Sequence, residues 1–291
     1  MKILNRHFND KLAKYLVFVS GTISFIILLA IAIFIFRDGF EAFQKIGLVD
    51  FIFGDTWRPG QDQFGILTMI VGSIVVTIGS LILAVPLGIA CAILLAEVAP
   101  YRVRQIVRPS VELLVGIPSV VYGLVGVLIL VPAIRNIAGT GFSVLAASIV
   151  LMAMVLPTVI SISEDSLRAV PSAYKEGALA LGATRWQTIF KVMLPAARSG
   201  IGASVVLGMG RAVGETMAMI MVIGNAPIFP TSIFDKARTL TGNIAVEISY
   251  ATGIHESALF ATGVILLIFI VLLNSIAIFV FKRGKHAQAH A

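Results

Sequence analysis

Residues 166–200 read SLRAVPSAYKEGALALGATRWQTIFKVMLPAARSG, a stretch too polar to cross a bilayer and too long for a simple turn. Pro171-Ser172 supplies a helix start, with Glu176 early enough to favour the helix dipole. Tyr174, Ala178 and Leu181 then recur at helical spacing, and Gly182 marks a helix end or sharp turn. A second amphipathic piece carries Trp186, Ile189 and Phe190, and Leu194-Pro195 precedes the next apolar run. The pattern predicts two short helices joined by a glycine hinge and protruding from one face. Their apolar stripe needs a cover, either a groove in a partner protein or the interface of a membrane.

What flanks this stretch decides between soluble and membrane surroundings. Of 291 residues, 58% are hydrophobic and 13% charged, and the mean hydropathy is +0.99. A soluble domain holds about 45–50% apolar and about 25% charged residues, so the composition predicts an integral membrane protein. The net charge of +7 does not point to nucleic acid, because the basic residues form no dense run or aromatic-interleaved patch. Cys91, the single cysteine, has no intrachain disulfide partner, and the four histidines lack metal-ligand spacing, so no metal is expected.

Crossing the hydrocarbon core takes roughly 20 apolar residues. Such runs predict spans at about 15–36, 64–96, 111–134, 140–163 and 257–281, with a sixth at 197–225 that contains Arg211 and Glu215. At about 1.5 Å per residue the second run would be roughly 50 Å long, and Pro86 is the place for a kink. Pro118 and Pro157 are expected to bend the third and fourth spans. No run shows strand-like alternation, and there is no soluble domain, repeat or low-complexity tract. The expectation is one all-α transmembrane domain over 1–291, with a cytoplasmic segment at 166–198.

Orientation follows from Lys and Arg near the span ends. Lys2, Arg6, Lys11 and Lys14 precede the first span, and Lys282, Arg283 and Lys285 follow the last. Arg102, Arg104 and Arg108 lie in one loop, and Arg168, Lys175, Arg185, Lys191 and Arg198 in another, whereas 37–63 is acidic. Six transmembrane helices with both termini cytoplasmic fit these positions. The first apolar stretch exceeds a signal-peptide core of about 7–15 residues, and is read as a retained helix.

Glu176-Gly177-Ala178, three residues, Gly182, nine residues, Val192, one residue and Leu194-Pro195 together resemble the EAA motif of ABC-importer permeases. In that family Ala stands at the position of Gly177 and Ile at that of Val192. The resemblance implies a type I (MetI-like) permease fold. It also implies that this segment is a coupling helix seated in an ATPase, with Tyr174, Glu176, Gly177, Ala178, Gly182, Trp186, Leu194 and Pro195 as the coupling residues. The chain has no G-x-x-x-x-G-K-[ST] sequence. The resemblance therefore assigns ATP and Mg to a separate ATPase dimer, leaving this chain without cofactor or catalytic residues.

Further stretches are similar to phosphate-specific permeases of the PstC type. They are Trp57-Arg58-Pro59 with Phe64-Gly65, Leu95-Ala96-Glu97 ahead of Pro100, Gly116 to Gly123, and Gly210 to Ala218 with Gly224-Asn225. This similarity implies a bacterial inner-membrane permease for inorganic phosphate. It would work with a second, PstA-type permease and a periplasmic phosphate-binding protein. A permease for sulfate or molybdate and an ion-coupled secondary transporter are the alternatives. An integral-membrane enzyme would need a His or acidic cluster near an interface, and none is visible.

Arg211 and Glu215 stand in GMGRAVGETMAM, residues 208–219. On one continuous helix Arg211 would lie roughly 22 Å along a path of about 45 Å, near the midplane. Ionisable residues at that depth face a bundle interior or a water-filled path. Two readings stand. In the first, the i,i+4 pair meets on one helix face as an internal ion pair, although the order is the weaker one and two apolar residues would cost less. In the second, the Arg211 fork meets an anion, while Glu215 holds the fork and lets the anion leave. Gly210 and Gly214 form a small-xxx-small pair suited to close helix approach. Thr216 and Asn225 on this span, and Thr158, Ser161 and Ser163 on the fourth, are candidates for neutral hydrogen bonds.

Overall fold

The computed structural model describes the backbone of residues 2–283. Lys2, Arg6, Lys282, Arg283 and Lys285, which carry part of the orientation reading, lie outside the described side chains. Helix α1 (Lys2–Ile46) and the short α2 (Leu48–Phe53) lead into a hairpin of β1 (Trp57–Arg58) and β2 (Gln63–Phe64). The next helix, α3 (Leu67–Ile93), carries Pro86 inside it and ends in a π turn at Leu94–Val98. After it come α4 (Tyr101–Val115), α5 (Ser119–Val125), a π turn at Gly126–Leu130 and α6 (Val131–Arg135). Then follow α7 (Val144–Arg168), α8 (Ser172–Ala180), α9 (Arg185–Thr188) and α10 (Leu194–Gly214), with a π turn at Ile189–Met193 before α10. The chain closes with α11 (Met217–Val222), α12 (Leu240–Glu247) and α13 (Ile254–Arg283).

Among the described residues five helices are long and apolar enough to cross a membrane, and the bent pair α4 with α5–α6 makes six when counted as one span. The fold is helical, as the missing alternation predicts, except for the two-residue strands that pair Trp57 with Phe64 and Arg58 with Gln63.

The core is built around α3 and α7. Val76 and Ala84 pack against Val150, Leu151, Val155 and Val159, and the far side is closed by Ala212, Met219 and Val222. Small residues let the backbones approach, which is how helices associate where lipid supplies no hydrophobic drive. An added Cβ at Gly88 would stand 2.7 Å from Val159, and one at Gly72 only 2.4 Å from the Arg238 carbonyl oxygen. A second cluster joins α1, α2, the hairpin and α13 through Ala42, Phe51, Trp57, Phe64, Leu240 and Leu259. Along most of its length α1 touches little except α13 and leaves its apolar surface bare.

Three expectations change. The third span is not one helix over 111–134. Residues 116–118 turn the chain by 98°, so α4 lies across the axis of α5–α6. Pro118 cannot donate to the α4 ladder and disfavours helix at Ile117, and the Tyr122 hydroxyl donates to the Leu114 carbonyl at 2.9 Å across the bend. The second amphipathic piece of the 166–200 segment is not a separate helix either, because residues 185–214 form one apolar helical run. The wider π turn clears the carbonyl that the Pro195 ring would otherwise strike. Finally, helix extends beyond the first apolar run, to Ile46.

Replacing Gly72 with Leu should push residues 237–240 off α3. Thermal unfolding in detergent should show a loss of about 1–3 kcal/mol. Gly214→Ala, where an added Cβ meets nothing within 4 Å, should show no loss. Equal melting of the two variants would contradict the packing described.

Candidate functional site

The fifth span is interrupted where its charges lie. Helix α10 ends at Gly214, Glu215 is extended (φ −69°, ψ 129°), and α11 restarts at Met217. Arg211 and Glu215 therefore do not share a helix face, and no ion pair joins them. The first of the two sequence readings is thereby corrected. The Glu215 carboxylate instead accepts a hydrogen bond from the Ala218 amide at 3.0 Å. It supplies one of the partners that a helix start lacks, and sits at the positive end of α11. Arg211 lies in the last turn of α10, where carbonyls and the negative end favour a cation. Each charge is thus offset by a helix end, and both side chains are half-buried.

Around the break, the Thr216 hydroxyl donates to the Gly214 carbonyl at 3.2 Å, and the Thr241 hydroxyl donates to the Glu215 carbonyl at 3.1 Å. Tyr122 lies within electrostatic reach of Arg211. Asn225 is elsewhere, in a turn at φ +51°, with its amide nitrogen on the Ile220 carbonyl at 2.6 Å. Its own carbonyl accepts from Arg238 Nε at 2.9 Å, so Asn225 is grouped with Arg238. Ser163 is engaged in helix packing, its hydroxyl 2.9 Å from that of Ser204, both fully buried. Gly210 and Gly214 do not bring helices of this chain together. The close contacts of α10 fall at Gly200, against Ser166, and Gly208, against Val155.

On the far side of the break lies a buried charged group that sequence reading missed. The Glu247 carboxylate accepts from Trp57 Nε1 at 2.8 Å and from Arg238 Nη1 at 2.5 Å, and lies 2.8 Å from His255 Nε2. Arg238 also donates to Asn243 Oδ1 at 3.0 Å. Trp57, Phe64 and Tyr250 surround the His255 ring, with Phe64 stacked on it at 5.8 Å. These residues are scattered between 57 and 255, so no local spacing joins them. The one available signal was a pair of charges, Arg238 and Glu247, close to an apolar segment.

At the opposite face, Tyr174, Glu176 and Gly177 of α8 and Trp186 of α9 are exposed. Gly182 turns at φ +87°, a conformation that suits glycine. Thr184 and Gln187 cap the next helix reciprocally, while Ser172 makes no cap. Leu181 is 91% and Trp186 59% exposed, and Trp186 stacks on exposed Phe190 at 6.0 Å. Ala178, Leu194 and Pro195 are half-buried beneath this rim. Lys175 ties α8 to the end of α3 through Glu97 at 2.5 Å. Glu164, 1% exposed, pairs with Arg168 and lies 3.6 Å from Arg108, which also meets Asp165 at 3.0 Å. Part of the basic charge that marks this face is thus committed to internal pairs.

Comparison with known proteins agrees with this architecture. The chain is 43% identical to a probable ABC transporter permease protein YqgH of Bacillus subtilis (strain 168), over 91% of this chain and 88% of that one. It is 35% identical to the phosphate transport system permease protein PstC of Mesorhizobium japonicum, over 89% and 85% of the two chains. Among solved structures, a bacterial ABC transporter involved in the import of the acidic polysaccharide alginate shares the fold, with a TM-score of 0.66 at 18% identity over 96% of this chain and 99% of that one. The MetNI methionine transporter in an inward-facing form gives 0.55 at 21% identity, over 76% and 94%. Residues 84–285 match one family throughout. With six potential crossings and relatives spanning nearly its whole length, the chain belongs to the family of binding-protein-dependent transport system inner membrane components.

Proposed function

We propose that this chain is the membrane-spanning permease of an ATP-driven importer of inorganic phosphate, lying in the bacterial inner membrane with both termini cytoplasmic. The observation that carries the reading is the state of Arg211: a half-buried guanidinium at the broken end of a span, with no carboxylate of the described residues within ion-pair distance. Such a group presents a planar fork that matches phosphate oxygens and stays charged at any relevant pH. Compensation by a helix end, equivalent to about half a charge, leaves the fork available. Glu215 keeps the span broken by capping α11, and Thr216 offers a hydroxyl at the same break. Asn225 belongs to the outer mouth rather than to this centre.

Glu215 also favours phosphate over the alternative oxyanions. Phosphate retains a proton at neutral pH that it can donate to a carboxylate, whereas sulfate and molybdate retain none. A carboxylate at the same break, outside ion-pair distance of the fork, still repels a fully deprotonated anion more than a protonated one. The relatives named PstC support the same substrate.

The exposed apolar rim at Tyr174, Leu181, Trp186 and Phe190 fits a partner groove. In this reading the partner is an ATPase dimer that binds ATP and Mg, a PstA-type permease completes the pathway, and a periplasmic phosphate-binding protein delivers substrate. Closure of the ATPases would pull on α8, and the continuous 185–214 run would carry that motion to the break.

In the assembled complex, Arg211→Gln should abolish phosphate uptake, with co-purification of all subunits unchanged. Retained uptake would remove Arg211 from the pathway. A hundredfold excess of sulfate or molybdate should leave uptake of labelled phosphate by the unaltered complex intact, and strong competition would favour the broader oxyanion reading. Joint replacement of Tyr174 and Trp186 by Ala should cut ATPase co-purification at least tenfold, since buried aromatics dominate such interfaces.

A further inference from the structure

We propose that α12 is a relay between the outer hairpin and the break in span five, with Thr241 as the positioning residue for Glu215. The proposal rests on the reading of residues 211–216 as the transport gate.

Helix α12 is held at both ends by unlike partners. At its start, Thr239 caps the Gly242 amide at 3.0 Å, and the Leu240 amide donates to Ser73 of α3 at 3.0 Å. One residue on, Thr241 donates its hydroxyl to the Glu215 carbonyl at 3.1 Å and lies 3.2 Å from the Thr239 hydroxyl. That carbonyl is one of those left open where α10 ends, so the bond fixes the extended residue that separates α10 from α11. At the other end of α12, Glu247 gathers Trp57 of the hairpin, Arg238 of the preceding loop and His255 of α13. An eight-residue helix is rigid over its length of about 12 Å. A displacement of the hairpin therefore reaches Thr241 without passing through α3 or α7.

Two buried polar atoms next to this path have no hydrogen-bond partner among the described residues: Asn225 Oδ1, an acceptor, and Asn243 Nδ2, a donor. Both residues bond Arg238, through the Asn225 carbonyl and the Asn243 Oδ1. A buried group without a partner is costly in one fixed state. Paired in a second setting of α12, these two atoms would repay that cost. Contacts that exist in only one of two settings are what a switching element requires. The hairpin, whose tip residues Arg58, Gln61, Asp62 and Gln63 are exposed, is the end of the relay that a docking protein would touch.

The test uses the full complex in proteoliposomes with its binding protein and ATP. Thr241→Val keeps the shape and removes the hydroxyl. It should lower maximal phosphate uptake about tenfold while the binding-protein concentration giving half-maximal ATPase stimulation stays within twofold. Thr241→Ser should restore uptake. Hydrogen exchange should rise at 214–218 in the Val variant and stay unchanged at 57–64. Ser73→Ala cuts the bond to α3 without touching Glu215 and should leave uptake within twofold of the unaltered complex. Uptake near normal in Thr241→Val would overturn the relay, and so would an equal loss in Ser73→Ala, which would make the segment simple packing. Failure of Thr241→Val to assemble while Thr241→Ser assembles would also overturn it, because the hydroxyl would then serve folding. Arg211→Gln run in parallel separates the two ideas: lost uptake there with normal uptake in Thr241→Val rejects the relay alone, and normal uptake there rejects the gate.

Discussion

A helix interrupted among transmembrane spans leaves amides and carbonyls without partners, and hydrocarbon supplies none. The break after Gly214 exists because the chain supplies its own: the Glu215 carboxylate for the Ala218 amide and the Thr241 hydroxyl for the Glu215 carbonyl. Given those two bonds, α10 stops with Arg211 in its last turn and the charge lies against a helix end. On one continuous helix Arg211 and Glu215 would stand four residues apart on the same face. The bonds decide whether the guanidinium is occupied by its own chain.

The same constraint explains the other irregular places. The bend at residues 116–118 is closed by Tyr122 on the Leu114 carbonyl. Arg104 takes up the Leu95 and Ala96 carbonyls where α3 loosens into its π turn, at 2.8 and 3.1 Å. Glu164, almost wholly buried, is met by Arg168 and Arg108. Polar side chains in this bundle serve first to complete backbone or charge that packing has left open. Among the described residues the Arg211 fork, at the broken end of span five, meets neither carbonyl nor carboxylate, and the proposed transport role starts from that position.

The segment at 166–200 was legible in detail because its signals are local. Gly182, the 3.6-residue recurrence of Tyr174, Ala178 and Leu181, and the spacing to Leu194-Pro195 all lie within residues 174–195, and the structure turns, exposes and joins these residues accordingly. What escaped notice there was continuity. A proline reads as a boundary, yet a π turn admits Pro195 into one helical run. The group around Glu247 escaped entirely, since its four side chains come from the hairpin, the loop before α12, α12 itself and α13. Trp57 was visible only as part of a resemblance, and His255 carried no spacing that pointed to anything.

Composition and apolar run length by themselves determined a helical membrane protein with six potential crossings, because hydrocarbon demands about 20 apolar residues and internal hydrogen bonding from each span. The motif spacing determined the family. Only the tertiary structure decided that residues 101–135 bend by 98° and that span five is broken at Glu215. It alone decided that α12 joins that break to Trp57. Periodicity within one run predicts a continuous helix. Whether the run breaks depends on distant residues, here Thr241, that can replace the backbone bonds given up at the break.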